Sequence, residues 1–153
     1  MKNKKKVFSR FFDSQLNTFT LSQLAQYTAV FYFNMRTVHF LTEGENFLEI
    51  HEYAQELYEQ AEDYYDDLIE TALSYKEQIQ PMYVVPGDWS PETANYNMTV
   101  GDSIRLMKDS VQKLFDYMEK VNRDIYSSFV YSKVDSILEY FDKQNYKLNQ
   151  MGR

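Results

Sequence analysis

Apolar residues recur at alternating steps of three and four through four separate stretches of this chain, and that spacing limits the fold more than any other feature. The first stretch is Leu21, Leu24, Thr28, Phe31, Met35, Val38 and Thr42. The second is Phe47, Ile50, Ala54, Leu57, Ala61, Tyr64 and Leu68, continued by Ala72. The third runs Ile104, Met107, Val111, Leu114, Met118, Val121, Ile125. The fourth is Val130, Val134, Ile137, Phe141, Gln144, Leu148, Met151, with one polar residue intruding. A period near 3.6 puts each set on one helix face, and such faces must bury one another. Only four glycines and three prolines occur in 153 residues, too few for a fold of strands and tight turns. The expectation is one all-α domain with a real core.

The connections order the helices. Glu43-Gly44-Glu45-Asn46 is a short turn, with Asn46 placed to cap the second helix. Residues 76–99 hold every proline (Pro81, Pro86, Pro91) together with Gly87 and Trp89, and form the one long connection. Ser90-Pro91-Glu92 predicts the start of a short extra helix inside it. Short, long, short is the pattern of a four-helix bundle with one crossover, as in ferritin-like folds. Loop lengths alone also admit a cytokine-like or spectrin-like bundle. The domain division is a basic arm over residues 1–12 and a bundle over 13–153. No apolar run reaches the roughly 20 residues of a membrane span, and Val7 to Phe12 is too short and charged for a signal core. The expected location is cytoplasmic. The absence of cysteine excludes disulfides, thiolate catalysis and Cys-type zinc sites.

The second helix asks for cations. Between Asn46 and Tyr75 stand nine acids, Glu49, Glu52, Glu56, Glu59, Glu62, Asp63, Asp66, Asp67 and Glu70, and no Lys or Arg. A charged helix face is ordinarily a solvated surface, but such faces usually mix signs, because like charges at i,i+4 destabilise. The only histidines, His39 and His51, flank the Gly44 turn almost symmetrically, so an antiparallel hairpin sets their rings opposite one another. A histidine pair of this kind is also an ordinary structural contact. Asp66 and Glu70 share a face at i,i+4. His51 and Asp66 are fifteen residues apart, roughly 22 Å along a straight helix at 1.5 Å per residue. If these residues form one metal site, two subunits must share it with their second helices antiparallel, giving two sites by symmetry.

His39-Phe40, Gly44, Asn46-Phe47, His51-Glu52, Glu56-Leu57-Tyr58, Asp66 and Glu70 together resemble the DNA-protection-during-starvation (Dps) miniferritins. The family pattern has a His before an aromatic, Gly-x-Asn-Phe, His-Glu twelve residues after the first His, then an Asp and a Glu fifteen and nineteen residues after the second. Phe141-Asp142-Lys143 with Tyr146 and Leu148 is similar to the family's closing helix, so the likeness spans about residues 14–150. The resemblance implies a hollow cage of twelve subunits that oxidises ferrous iron, preferably with peroxide, and stores the mineral in protection against oxidative damage. It implies His39, His51, Asp66 and Glu70 as iron ligands at a twofold interface. Where the family carries an acid one turn after the second His, this chain has Gln55, a neutral and weaker oxygen ligand. Glu62, three turns after His51, is a candidate substitute from the partner subunit. Gln60 stands where the family often has Trp, and Tyr126-Ser127-Ser128, with Asp124 and Asp135 nearby, where it has pore acids. Tyr58 and Tyr65 are phenols near the site.

Three readings follow. The first is an iron-oxidising, iron-storing miniferritin. The second is a cage or dimer of the same fold that binds DNA or serves assembly without efficient oxidation, which Gln55 and the missing pore acids favour. The third is a plain interaction bundle. DNA contact would fall to Lys2, Lys4, Lys5, Lys6 and Arg10, because the remaining residues carry 11 basic against 23 acidic groups and repel a duplex. In a cage, twelve arms would add avidity to weak contacts.

Overall fold

Thr20 and Gln23 open the first helix, α1 (Leu21–Leu41), with a capping box. The Gln23 amide donates to the Thr20 hydroxyl at 3.2 Å, and the Thr20 amide to the Gln23 side-chain carbonyl at 2.9 Å. In the computed structural model, which describes residues 19–79, 86–92 and 97–151, three more helices follow: α2 (Phe47–Ser74), α3 (Val100–Glu119) and α4 (Ser128–Met151). Two short strands, β1 (Thr42–Glu43) and β2 (Met98–Thr99), pair in parallel with Thr42 opposite Met98. A second parallel bridge joins Phe19 to Val121. The start of α1 thus lies beside the end of α3, and its end beside the start of α3. α1–α2 and α3–α4 are two hairpins, and the segment between them travels the length of the bundle. This is the ferritin-like arrangement. The basic arm, and the boundary expected at residue 13, lie outside the described residues.

The stripes form the core. All seven positions of the first are buried, and in the others all but Phe47, Tyr64, Ile104, Ile125 and Met151. Phe47 is the first residue of its helix. Ile125 is exposed because α3 stops at Glu119, so the third stripe overruns its helix. At mid-core Phe31 meets Phe141 edge to face at 5.1 Å. The intruding polar residue of the fourth stripe, Gln144, is buried and accepts the Tyr53 hydroxyl at 2.5 Å. That bond satisfies a group that would otherwise cost free energy there.

Two local expectations differ from the structure. Asn46 occupies the cap position of α2, but its backbone is left-handed at φ 66° and its side chain makes no cap bond. The turn needs two positive φ angles, at Gly44 (104°) and Asn46, and Asn supplies the second because its short polar side chain tolerates that region. The Phe47 amide donates to the Gly44 carbonyl instead. Ser90, Pro91 and Glu92, expected to begin an extra helix, are not helical, and 93–96 lie outside the described residues.

The described residues of the crossover are bonded to the bundle. After α2, the Lys76 amide donates to Leu73 and the Glu77 amide to Ala72, a Schellman closure with Lys76 at φ 57°. Glu77 then caps α1. Its carboxylate accepts from the Ser22 amide at 3.2 Å and the Tyr126 hydroxyl at 2.8 Å, and that hydroxyl accepts from the Leu21 amide. Further on, Trp89 is buried and stacks on Tyr27 and Tyr117, whose own rings stack at 3.7 Å and 9°. Both phenols donate to Asp88, at 2.7 and 2.9 Å. The Tyr27 bond, joined by that of Tyr117 and the Lys120 charge, holds the Asp88 carboxyl below its ordinary value. Burial, and then the bond to Asp88, push the Tyr117 phenol up to about 12 and Tyr27 further still. Fully buried Asn34 completes the attachment, accepting from the Glu92 amide at 2.8 Å and donating to Ser110 on α3 at 3.1 Å.

Candidate metal centre

His39 and His51 share one hydrogen-bond pattern, each to the other's backbone. His39, in the last turn of α1, donates from Nδ1 to the His51 backbone carbonyl at 2.9 Å. His51, in the first turns of α2, donates from Nδ1 to the His39 carbonyl at 2.7 Å. A carbonyl can only accept, so Nδ1 carries the hydrogen in both rings, and in the neutral imidazole Nε2 is then the nitrogen with the lone pair. The rings stack at 3.7 Å with 21° between planes, half-buried beneath the Gly44 turn. Fixing the far nitrogen on a backbone carbonyl is how a metal-binding imidazole is ordinarily oriented. The antiparallel hairpin does bring the two rings together, and the reciprocal bonds set their tautomer, which spacing does not reveal.

The acids stand elsewhere. Asp66 and Glu70 are exposed on the same unbroken helix as His51, roughly 22 and 28 Å along its axis. Among the described residues, no three His, Asp or Glu side chains of one chain converge on a common point. Gln55 and Glu62 are also exposed, and the Gln55 amide nitrogen donates to Glu59 at 2.8 Å. Asp66, Glu70, Gln55 and Glu62 all lie off the stripe that packs the chain's own core. Of the nine acids on α2, one has a cationic partner among the described residues: Asp67, bonded by Lys133 of α4 at 2.6 Å. Near the start of α4, Asp135 is paired with Arg123, and Ser127 is bonded to the Tyr75 phenol.

Sequence reasoning passed over Arg36, one turn before His39. Its guanidinium lies over the rings of Tyr58, Phe40 and Tyr32, at 4.9, 5.1 and 5.5 Å from their centres. Tyr58 in turn meets His39 edge-on at 5.3 Å. The i,i+4 spacing of Arg36 with Tyr32 on one side and Phe40 on the other was the available signal. Phe40, 64% exposed, and Phe47, 45% exposed, pack against the two imidazoles and leave an aromatic surface around them. The cationic arm residues Lys2, Lys4, Lys5, Lys6 and Arg10 lie outside the described residues.

No family model matches the chain, and no curated protein does. Solved structures do. A Dps protein from Bacillus brevis superposes with a TM-score of 0.78 at 20% identity, over 92% of this chain and 97% of that one. Antigen TpF1 from Treponema pallidum gives 0.76 at 19%, over 87% and 90%. Dps from Staphylococcus aureus gives 0.72 at 18%, over 87% and 94%. With four helices and a lengthwise crossover among the described residues, the chain has the ferritin-like fold seen in these Dps proteins.

Proposed function

We propose that this protein binds ferrous iron between two subunits, oxidises it and stores the product in a hollow cage, as a Dps-like miniferritin. The observation that carries the reading is the reciprocal clip between His39 and His51, which engages Nδ1 of both rings and leaves both Nε2 atoms outside the clip near one end of α2. Asp66 and Glu70 stand near the other end with open carboxylates. Antiparallel pairing of two α2 helices brings the histidines of each chain to the acids of the other. The acidic, base-free helix then repels its copy unless cations lie between. Nitrogen and carboxylate donors suit ferrous iron, and carboxylates favour the ferric product through its higher charge. In the oxidation, two ferrous ions give one electron each to a peroxide, which takes up two protons and leaves as two waters. The chain's own part is to hold the substrate ions, fix the imidazole tautomer through the backbone, and place acids where the charge rises.

The test is a mixed dimer of one His51→Ala subunit and one Asp66→Ala subunit. Shared sites put both lesions in one composite site and leave the other whole, so half the tight iron binding remains. Loss of all of it, or retention of all of it, overturns the shared site.

The second reading, a cage or dimer that binds DNA or serves assembly without efficient oxidation, draws on Gln55. That side chain is neutral, and its amide nitrogen is engaged with Glu59. Ferric absorbance growing no faster with protein than in buffer, after ferrous iron and peroxide, selects this reading.

A further inference from the structure

Tyr27, Tyr117 and Asp88 form a cluster that the metal reading does not use. Two phenols donate to the two oxygens of one carboxylate, at 2.7 and 2.9 Å, and their rings lie face to face at 3.7 Å. Trp89 extends the stack, its centre 5.9 Å from Tyr117 and 6.3 Å from Tyr27. A single phenol on Asp88 would suffice to fasten the crossover. Saturating both oxygens with phenols, and stacking those phenols on each other, adds a property that fastening does not need.

A phenol gives up an electron easily only when its proton can leave at the same time, and a proton moves readily to a base within hydrogen-bond reach. Asp88 is that base for both rings. The nearby cations oppose a bare positive hole: the Lys120 ammonium stands 5.1 Å from the Tyr117 ring centre and the Lys113 ammonium 5.8 Å from that of Trp89. Passing the proton to Asp88 removes that opposition, because the phenoxyl formed is neutral. The contact between the rings lets either one carry the unpaired electron.

We propose that Tyr27, Tyr117 and Asp88 make a proton-coupled electron-donor site that quenches one-electron oxidants of the hydroxyl-radical class. In the step, the O–H bond of one phenol breaks. Its electron reduces hydroxyl radical to hydroxide, and its proton goes to Asp88, which becomes a neutral carboxylic acid. An external one-electron reductant with a transferable proton reverses the change. The site works without iron and stands apart from the proposed metal function.

The experiment uses the metal-free, full-length protein, oxidised by azide radical at about one equivalent and frozen for electron paramagnetic resonance. Most of the phenoxyl signal is expected to disappear in the Tyr27→Phe/Tyr117→Phe variant and to persist in Tyr146→Phe. Asp88→Ala, which leaves no donor at that position, is expected to remove the coupling to an exchangeable proton that the wild-type radical shows. A double variant that keeps the wild-type signal, or a coupling that survives Asp88→Ala, overturns the proposal. Wild-type protein supplies a measurement free of any folding defect, by peptide mapping of oxidised tyrosine. Products concentrated at Tyr27 and Tyr117 support the site, although Tyr27 is only 6% exposed. Products ordered by exposure, with Tyr146 at 67% foremost, overturn it.

Discussion

Gln55 lies one helical turn beyond His51, where a carboxylate would add a negative charge to the proposed iron site. Gln55→Asp is therefore expected to speed ferrous oxidation, read as the growth of ferric absorbance after iron and peroxide are mixed. An unchanged or slower rate removes Gln55 as the limiting residue. The tyrosine pair makes a second prediction, for alkaline pH. An unfolded phenol ionises near 10, whereas folded Tyr117 keeps its proton to about 12. Above pH 10 the unfolded chain sheds a proton that the folded chain retains, so stability present at neutral pH is lost as the pH climbs through the folded value. The melting temperature should fall between about pH 10 and 12, and Tyr117→Phe should flatten that fall. An equally steep fall in the variant would assign it to other tyrosines. At this scale the sequence was legible where spacing alone decides, as for the ring-to-ring approach of His39 and His51. It was silent where the partner is remote. Asp88 lies 61 residues from Tyr27 and shows no periodicity, and the left-handed backbone of Asn46 depended on how many positive φ angles the turn required.

Among the elements, α1 departs most from its pattern. A single stripe predicts one buried face, yet twelve of its 21 residues are buried, because the crossover covers a second side. That covering could not be read from periodicity, since the crossover has none of its own. Its attachment is a set of hydrogen bonds, and Asn34 is the innermost. Asn34→Ala leaves the Glu92 amide and the Ser110 hydroxyl without their buried partner, at a cost of about 1–3 kcal/mol. Denaturant unfolding should show that loss, and limited proteolysis should cut within residues 76–99 sooner than in wild type. Unchanged stability with an unchanged cleavage rate would mean that the other attachments suffice. The four helices themselves were legible because their apolar sets are long and regular. Their ends were not: the third stripe overran α3 by several residues, because Val121 is buried through its bridge to Phe19 rather than by a helix.

On the scale of the whole molecule, the proposed shared site requires at least a dimer, and the resemblance to the Dps family implies twelve copies. Native mass spectrometry is expected to show an assembly of twelve; monomer alone would sink both the cage and the shared site. The arm makes a separate prediction. Removing residues 1–10 deletes five cations and leaves a strongly acidic body, so any gel shift of duplex DNA should vanish while iron oxidation persists. DNA binding that survives the deletion at the same salt would exclude the arm as the contact. Candidate ligand types and their spacing were legible in one chain's sequence. The arrangement that would join them was not, because it belongs to a pair of chains.

The attachments of the crossover also bear on the order in which the molecule assembles. Each hairpin is made of contacts close in sequence, so α1–α2 and α3–α4 can form early with little loss of chain entropy. The crossover's own bonds, from Glu92 to Asn34, from Tyr27 to Asp88 and from Tyr126 to Glu77, span 58, 61 and 49 residues, and must wait until the crossover lies along the docked hairpins. Interactions absent from the rate-limiting state hold back unfolding and leave folding speed nearly untouched. On this order of assembly the crossover acts as a latch on a bundle already formed: loosening it is expected to shorten the lifetime of the folded protein while the chain still folds at its usual pace.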